Sequence, residues 1–202
     1  MKVALIGASG NVGSRILAEL TRRGHAVTAI VRHPEKVAAG ANVTAKKGDV
    51  YDRVGLADLL KGHDVVISAV HFIASDPKIL IEAVRESGVK RYLVVGGAGS
   101  LEVAPGKKLF ETPDFPEAYK AEARAGGVFL DMLLPEKEID WTFLSPSAVI
   151  APGERTGKFR LGTDQLLTNE KGSSISYEDY AVALVDELEK PAHSRRRFTV
   201  GY

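Results

Sequence analysis

The feature that most restricts this chain is Gly7-Ala8-Ser9-Gly10-Asn11-Val12-Gly13, set directly after the apolar run Val3 to Ile6. Val12, Ile16, Leu17 and Leu20 then recur at helical spacing, and Gly24 closes that helix. A strand, three spaced glycines and a helix leave each glycine a task. Gly7 permits the tight turn, Gly10 lets backbone approach a pyrophosphate, and Gly13 lets the helix lie close on the strand. The helix N-terminus adds unpaired N–H groups and partial positive charge, so Ser9, Asn11 and Val12 join the glycines as candidate phosphate contacts.

The rest of the chain alternates in the same way. Apolar runs at Ala26–Val31, Val43–Lys47, Asp64–Val70, Arg91–Val95 and Trp141–Leu144 read as strands. Between them, helical faces appear around Leu56 to Leu60, around Ile79 to Val84 with Gly88 as the stop, and from Pro116 to about Leu134. Tyr177 to Leu188 forms a last amphipathic helix, and Arg197–Val200 reads as a final edge strand after a solvated Arg195-Arg196-Arg197 loop. This order predicts an α/β fold: a Rossmann-type, doubly wound, mainly parallel sheet with helices on both faces. One domain over residues 1–202 is expected, with long substrate loops at about 97–115 and 146–174.

Composition removes several function classes. Lys+Arg is 27 and Asp+Glu 26, a net charge of +1 that argues against nucleic-acid or membrane binding by bulk electrostatics. No cysteine is present, which excludes disulfides, thiolate metal sites and a cysteine nucleophile. The five histidines are scattered without metal-ligand spacing, and no Gly-x-Ser-x-Gly is found. No run is long enough to span a bilayer and the start does not read as a signal peptide, so a cytoplasmic location is expected.

The two-residue spacing between Gly7 and Gly10 resembles the atypical branch of the short-chain dehydrogenase/reductase superfamily. Val31-Arg32-His33-Pro34, Gly48-Asp49-Val50, Val94-Val95-Gly96-Gly97-Ala98-Gly99-Ser100 and Ile175-Ser176-Tyr177-Glu178-Asp179-Tyr180-Ala181 extend the likeness over nearly the whole chain. Within that branch it is similar to the NAD(P)H-flavin reductase group and to biliverdin-IX-beta reductase/flavin reductase. The resemblance implies that Asp49, with the Val50 backbone, contacts adenine, and that the Pro146 neighbourhood lies against the nicotinamide.

Arg32 ends the second strand, where a carboxylate would hold a ribose 2′-hydroxyl and a guanidinium a 2′-phosphate. With His33 beside it and no carboxylate from Val27 to Pro34, NADP(H) is expected over NAD(H). Ligands of this fold bind at the carboxyl ends of strands, which places Ala69, Val70, His71, Gly97, Ser100 and Pro146 at the site.

None of the six tyrosines carries a lysine four residues on, so the tyrosine–lysine acid of ordinary alcohol/ketone chemistry is missing; Lys120 directly follows Tyr119. His71, Ser100 and Tyr119 remain as candidates for handling a proton. The expected function is NADPH-dependent hydride transfer to a small-molecule acceptor, a flavin or quinone, with flavin as a substrate and not a bound group. A non-catalytic NADP(H) sensor is the alternative, and an NAD-dependent epimerase or dehydratase a third reading. The sequence leaves the oligomeric state open.

Overall fold

The computed structural model describes residues 1–202. In chain order the elements are β1 (Lys2–Ile6), α1 (Asn11–Arg22), β2 (Ala26–Val31), β3 (Val43–Lys47), α2 (Arg53–Leu60), β4 (Val65–Ser68), α3 (Pro77–Ser87), β5 (Arg91–Val95), β6 (Glu102–Ala104), β7 (Lys107–Lys108), α4 (Glu117–Leu133), β8 (Asp140–Ser145), β9 (Val149–Ala151), β10 (Arg160–Gly162), β11 (Ser174–Ser176), α5 (Tyr177–Glu189) and β12 (Arg196–Gly201). One eight-stranded sheet runs β10-β12-β8-β5-β4-β1-β2-β3, parallel throughout except for β10. This is the doubly wound Rossmann-type fold.

Strand alternation divides the core between the two faces. Val3 and Leu5 of β1 face one layer, where Ile16, Leu17 and Leu20 of α1 meet Tyr180, Leu184 and Leu188 of α5. Ala4 and Ile6 face the other, with Leu56 and Leu60 of α2, Leu80 and Val84 of α3, and Phe129 and Leu133 of α4. Each fully buried side chain of this size contributes on the order of 1.5–3 kcal/mol, so the two layers together outweigh any single polar contact in the molecule.

Three expectations are corrected. The final strand is not an edge: β12 lies between β8, to which it is parallel, and β10, to which it is antiparallel. β10 supplies the edge from within the long loop. It is three residues with one apolar side chain, too short to register as a strand by pattern. The arginine run is only partly solvated: Arg195 and Arg196 are exposed, but two of the three side chains bind the protein. Arg195 donates to the Ile139 and Lys137 carbonyls, and Arg197, with its side chain 8% exposed, donates to Asp164 and to the Ser100 hydroxyl. The fourth strand is also shorter than Asp64–Val70. Asp64 instead accepts the Lys2 N–H at 2.7 Å, and Ala69 turns out against the glycine loop.

Candidate functional site

The carboxyl ends of β1, β2, β4, β5 and β8 open into a cleft of about 990 Å³. Its first wall is the glycine loop. Gly7 has φ +84°, and a Cβ there would come within 2.4 Å of the Ala69 carbonyl oxygen, so both conformation and space demand glycine. A Cβ on Gly13 would lie 2.1 Å from the Gly7 carbonyl oxygen. Gly10 differs from both: the nearest atom to its Cβ would be the Gly7 oxygen, at 3.5 Å. Its missing side chain therefore leaves open cleft instead of admitting protein. Gly10 is also the N-cap of α1, and no side chain caps that helix start. Uncapped N–H groups beside a vacant Cβ position fit the pyrophosphate of a dinucleotide.

Ser9, Asn11, Val12, Arg32, Asp49 and Val50 line the same end of the cleft. Arg32 is exposed and forms neither an ion pair nor a hydrogen bond within the protein. His33 borders an adjoining hollow with Arg32 and Lys47, and its Nδ1 meets Glu35 at 3.1 Å. Asp49 accepts the N–H of Tyr51 at 2.9 Å, which fixes the turn after β3. Gly13 does not reach the cleft; its role is the close approach of α1 to the loop.

The other end of the cleft lies over β4, β5 and β8 and is walled by Phe72, Phe115, Tyr119, Val149 and Tyr177, with Ala69, Val70, Gly97 and Pro146 at its floor. Phe72 stacks on Phe143, with ring centroids 6.1 Å apart and planes 15° apart, and tilts against Phe129 at 5.8 Å. Gly126 of α4 makes this possible, since a Cβ there would sit 2.8 Å from the Phe72 ring.

Glu122 is the residue the sequence did not flag. From α4 it accepts the backbone N–H of Phe72 at 2.9 Å and of Ile73 at 3.0 Å, and it meets His71 Nδ1 at 3.2 Å. One carboxylate thus holds the turn that follows β4 and fixes which ring nitrogen of His71 is engaged. His71 Nε2 has no hydrogen-bond partner in the protein. The only signal for Glu122 was its place one turn after Tyr119.

Ser100 is not placed with His71 and Tyr119. It is 6% exposed, lies outside the cleft lining, and its hydroxyl accepts from Arg197 at 2.9 Å. Its glycine-rich setting suggested a site residue, but β12 brings Arg197 in from behind and occupies the oxygen. Tyr119 does line the cleft at 65% exposure, and its neighbour Lys120 is turned to Glu117 at 2.5 Å. Tyr180 is buried and donates to the Leu144 carbonyl at 2.6 Å; burial pushes it well above the ordinary tyrosine range.

Part of the second long loop is pinned by side chains of α1 and α5. Asp179 accepts from the Thr156 hydroxyl, the Gly157 N–H and the Tyr202 phenol, and Glu178 accepts the Gly153 N–H. Arg155 forks onto Glu19 of α1 with two contacts of 2.8 Å. Residues 153–157 are thereby tied to α1 and α5.

These features define a dinucleotide-binding Rossmann domain of the oxidoreductase type. The chain belongs to the NAD(P)H-binding family, whose model matches residues 7–191. It is similar to three solved structures that bear different names. A proposed exported protein of Burkholderia pseudomallei is 49% identical with a TM-score of 0.91, each chain covered over 100%. A proposed epimerase of Bacteroides thetaiotaomicron is 46% identical with a TM-score of 0.94, over 100% of this chain and 96% of that one. A proposed NADH-flavin reductase of Streptococcus pneumoniae is 41% identical with a TM-score of 0.84, over 100% and 99%. No helix is long and apolar enough to cross a membrane.

Proposed function

We propose that the protein is an NADPH-dependent reductase that passes hydride to a free flavin, a quinone or a similar conjugated acceptor. The observation that carries this reading is the composition of the cleft. It has a glycine loop and a free guanidinium at one end and an aromatic wall at the other, with no tyrosine paired to a lysine. The NADH-flavin reductase named among the similar structures supports the flavin acceptor, while the choice of NADPH rests on Arg32.

A nicotinamide bound in the cleft supplies the hydride, and a conjugated ring is already electrophilic enough to take it. The chain's own task is then orientation. Arg32, unpaired in the protein, is placed to hold a 2′-phosphate and so to favour NADPH. Phe72, seated on Gly126, gives the acceptor a flat face to lie against. His71, held through Nδ1 by Glu122, keeps Nε2 for the oxygen or nitrogen that gains charge when the ring is reduced. Tyr119 packs on the acceptor and does not protonate it.

The test follows NADPH absorbance with the protein and riboflavin, FMN or a small quinone, against NADPH and protein alone. Acceptor-dependent oxidation at catalytic protein concentration is expected. Firm NADPH binding with no oxidation by any acceptor would leave a non-catalytic sensor as the reading to pursue.

A further inference from the structure

We propose that the acceptor end of the cleft selects rings without an anionic tail, taking riboflavin-like alloxazines and neutral quinones in preference to FMN and FAD. The proposal rests on the reductase reading and narrows its substrate class.

The argument is a census of charge along one cleft. Arg32 is the only lysine or arginine in the entire lining. It follows β2, which lies three strand spacings from β5 in the order β2-β1-β4-β5, or about 14 Å at the usual separation. At that distance it serves the cofactor's adenosine end and makes no direct contact with a ring over β5. The acceptor end holds two carboxylates, Asp114 and Glu122, and no fixed cation. Glu122 accepts from two backbone N–H groups and meets His71. Asp114 is exposed and has neither an ion pair nor a hydrogen bond through its side chain. It is thus an uncompensated negative charge on the rim.

Among the cations of the surrounding segments, Lys107 and Arg124 are exposed without an ion pair and lie outside the cleft lining, and the others are engaged elsewhere. Lys120 pairs with Glu117 at 2.5 Å, and the Lys108 ammonium sits 5.9 Å from the Phe110 ring. Arg197, behind the floor, is committed to Asp164 and Ser100. An isoalloxazine ring with an uncharged tail meets the aromatic wall and neutral polar groups here and brings no charge towards Asp114. The same ring with a phosphate brings a dianion towards Asp114 with no partner to receive it, and repulsion of this kind is an effective means of discrimination.

Riboflavin and FMN share one ring and differ in the phosphate, so they form the test pair. Their affinities for the NADP⁺-loaded protein are read from quenching of flavin fluorescence, and kcat/KM is read with NADPH. Riboflavin is expected to bind at least tenfold more tightly at low salt, with the gap narrowing as salt is raised. Asp114→Lys is expected to cut the ratio to about threefold or less by improving FMN, and Asp114→Asn to give an intermediate value. Thermal melting confirms that both variants fold. FMN binding as well as riboflavin in the wild type, an unchanged ratio in Asp114→Lys, or binding of neither flavin would overturn the proposal. If the binding ratio is as expected but no acceptor oxidises NADPH, the reductase reading fails and the selectivity stands.

Discussion

Gly13 rests directly on Gly7: a Cβ at Gly13 would stand 2.1 Å from the Gly7 carbonyl oxygen, whereas one at Gly10, three residues earlier, would touch nothing closer than 3.5 Å. The three glycines of the loop therefore separate into two that build the fold and one that faces a ligand.

This contrast gives the first prediction. Gly13→Ala should destabilise the protein by about 1–3 kcal/mol, because the helix must move off backbone that cannot yield. Gly10→Val should fold with a melting temperature close to wild type and lose NADPH binding, since its side chain fills the pyrophosphate's place. Thermal melts and NADPH titrations of the two variants check this. Unaltered NADPH affinity in Gly10→Val would remove the loop from the cofactor site.

Arg32 is exposed without a protein partner, so its replacement should cost the fold little and the cofactor much. Arg32→Asp should weaken NADPH by about 1.5–3 kcal/mol, roughly ten- to a hundredfold, while NADH holds or improves. Comparable dissociation constants for NADPH and NADH in the wild type would contradict the role given to Arg32.

Glu122 and Tyr119 share one helix face but should behave differently. Glu122→Ala frees two backbone N–H groups and His71. It should lower kcat/KM for the acceptor by about 1–3 kcal/mol, roughly five- to a hundredfold, with the NADPH dissociation constant within about twofold of wild type. Tyr119→Phe should slow turnover less than about tenfold, where loss of a true general acid would cost on the order of 10²–10⁴. Steady-state rates with one acceptor across pH, for both variants, separate these roles.

Glu19 sets an acid limit on stability. It is 4% exposed, and hydrogen bonds from Arg155 above all, with Arg23 also contributing, hold its carboxyl at about 2. A folded value below the unfolded one stabilises the protein above the unfolded pKa and is lost as pH falls. About 2–3 kcal/mol should accordingly disappear between roughly pH 5 and pH 2. Glu19→Gln should lose a similar amount at neutral pH and show a flatter decline in acid. Urea midpoints at pH 7 and pH 3 for the two proteins provide the check; equal acid sensitivity would contradict the assignment.

What the sequence revealed and what it hid have separate physical causes. Gly7 and Gly13 were legible because their surroundings admit no side chain, and the strand runs because burial on both faces makes them continuously apolar. Glu122 was not legible: its carboxylate matters only because α4 crosses the turn after β4, some fifty residues earlier, as the separations of 50 and 49 residues to Phe72 and Ile73 show. The misreading of Ser100 has the same origin, since Arg197 reaches it across 97 residues of chain. The inner position of β12 depended on β10, whose three residues carry no period of their own. Local pattern reports local burial, whereas polar partners in the cleft are set by topology.

The central claim is that this cleft transfers hydride from NADPH to a ring acceptor without a tyrosine acid. The most direct measurement is NADPH consumption by the purified protein with riboflavin as the acceptor, run beside Gly10→Val. The account predicts many turnovers per protein molecule for the wild type and none above background for the variant. NADPH bound by the wild type but left unoxidised in the presence of riboflavin and of a neutral quinone would contradict it.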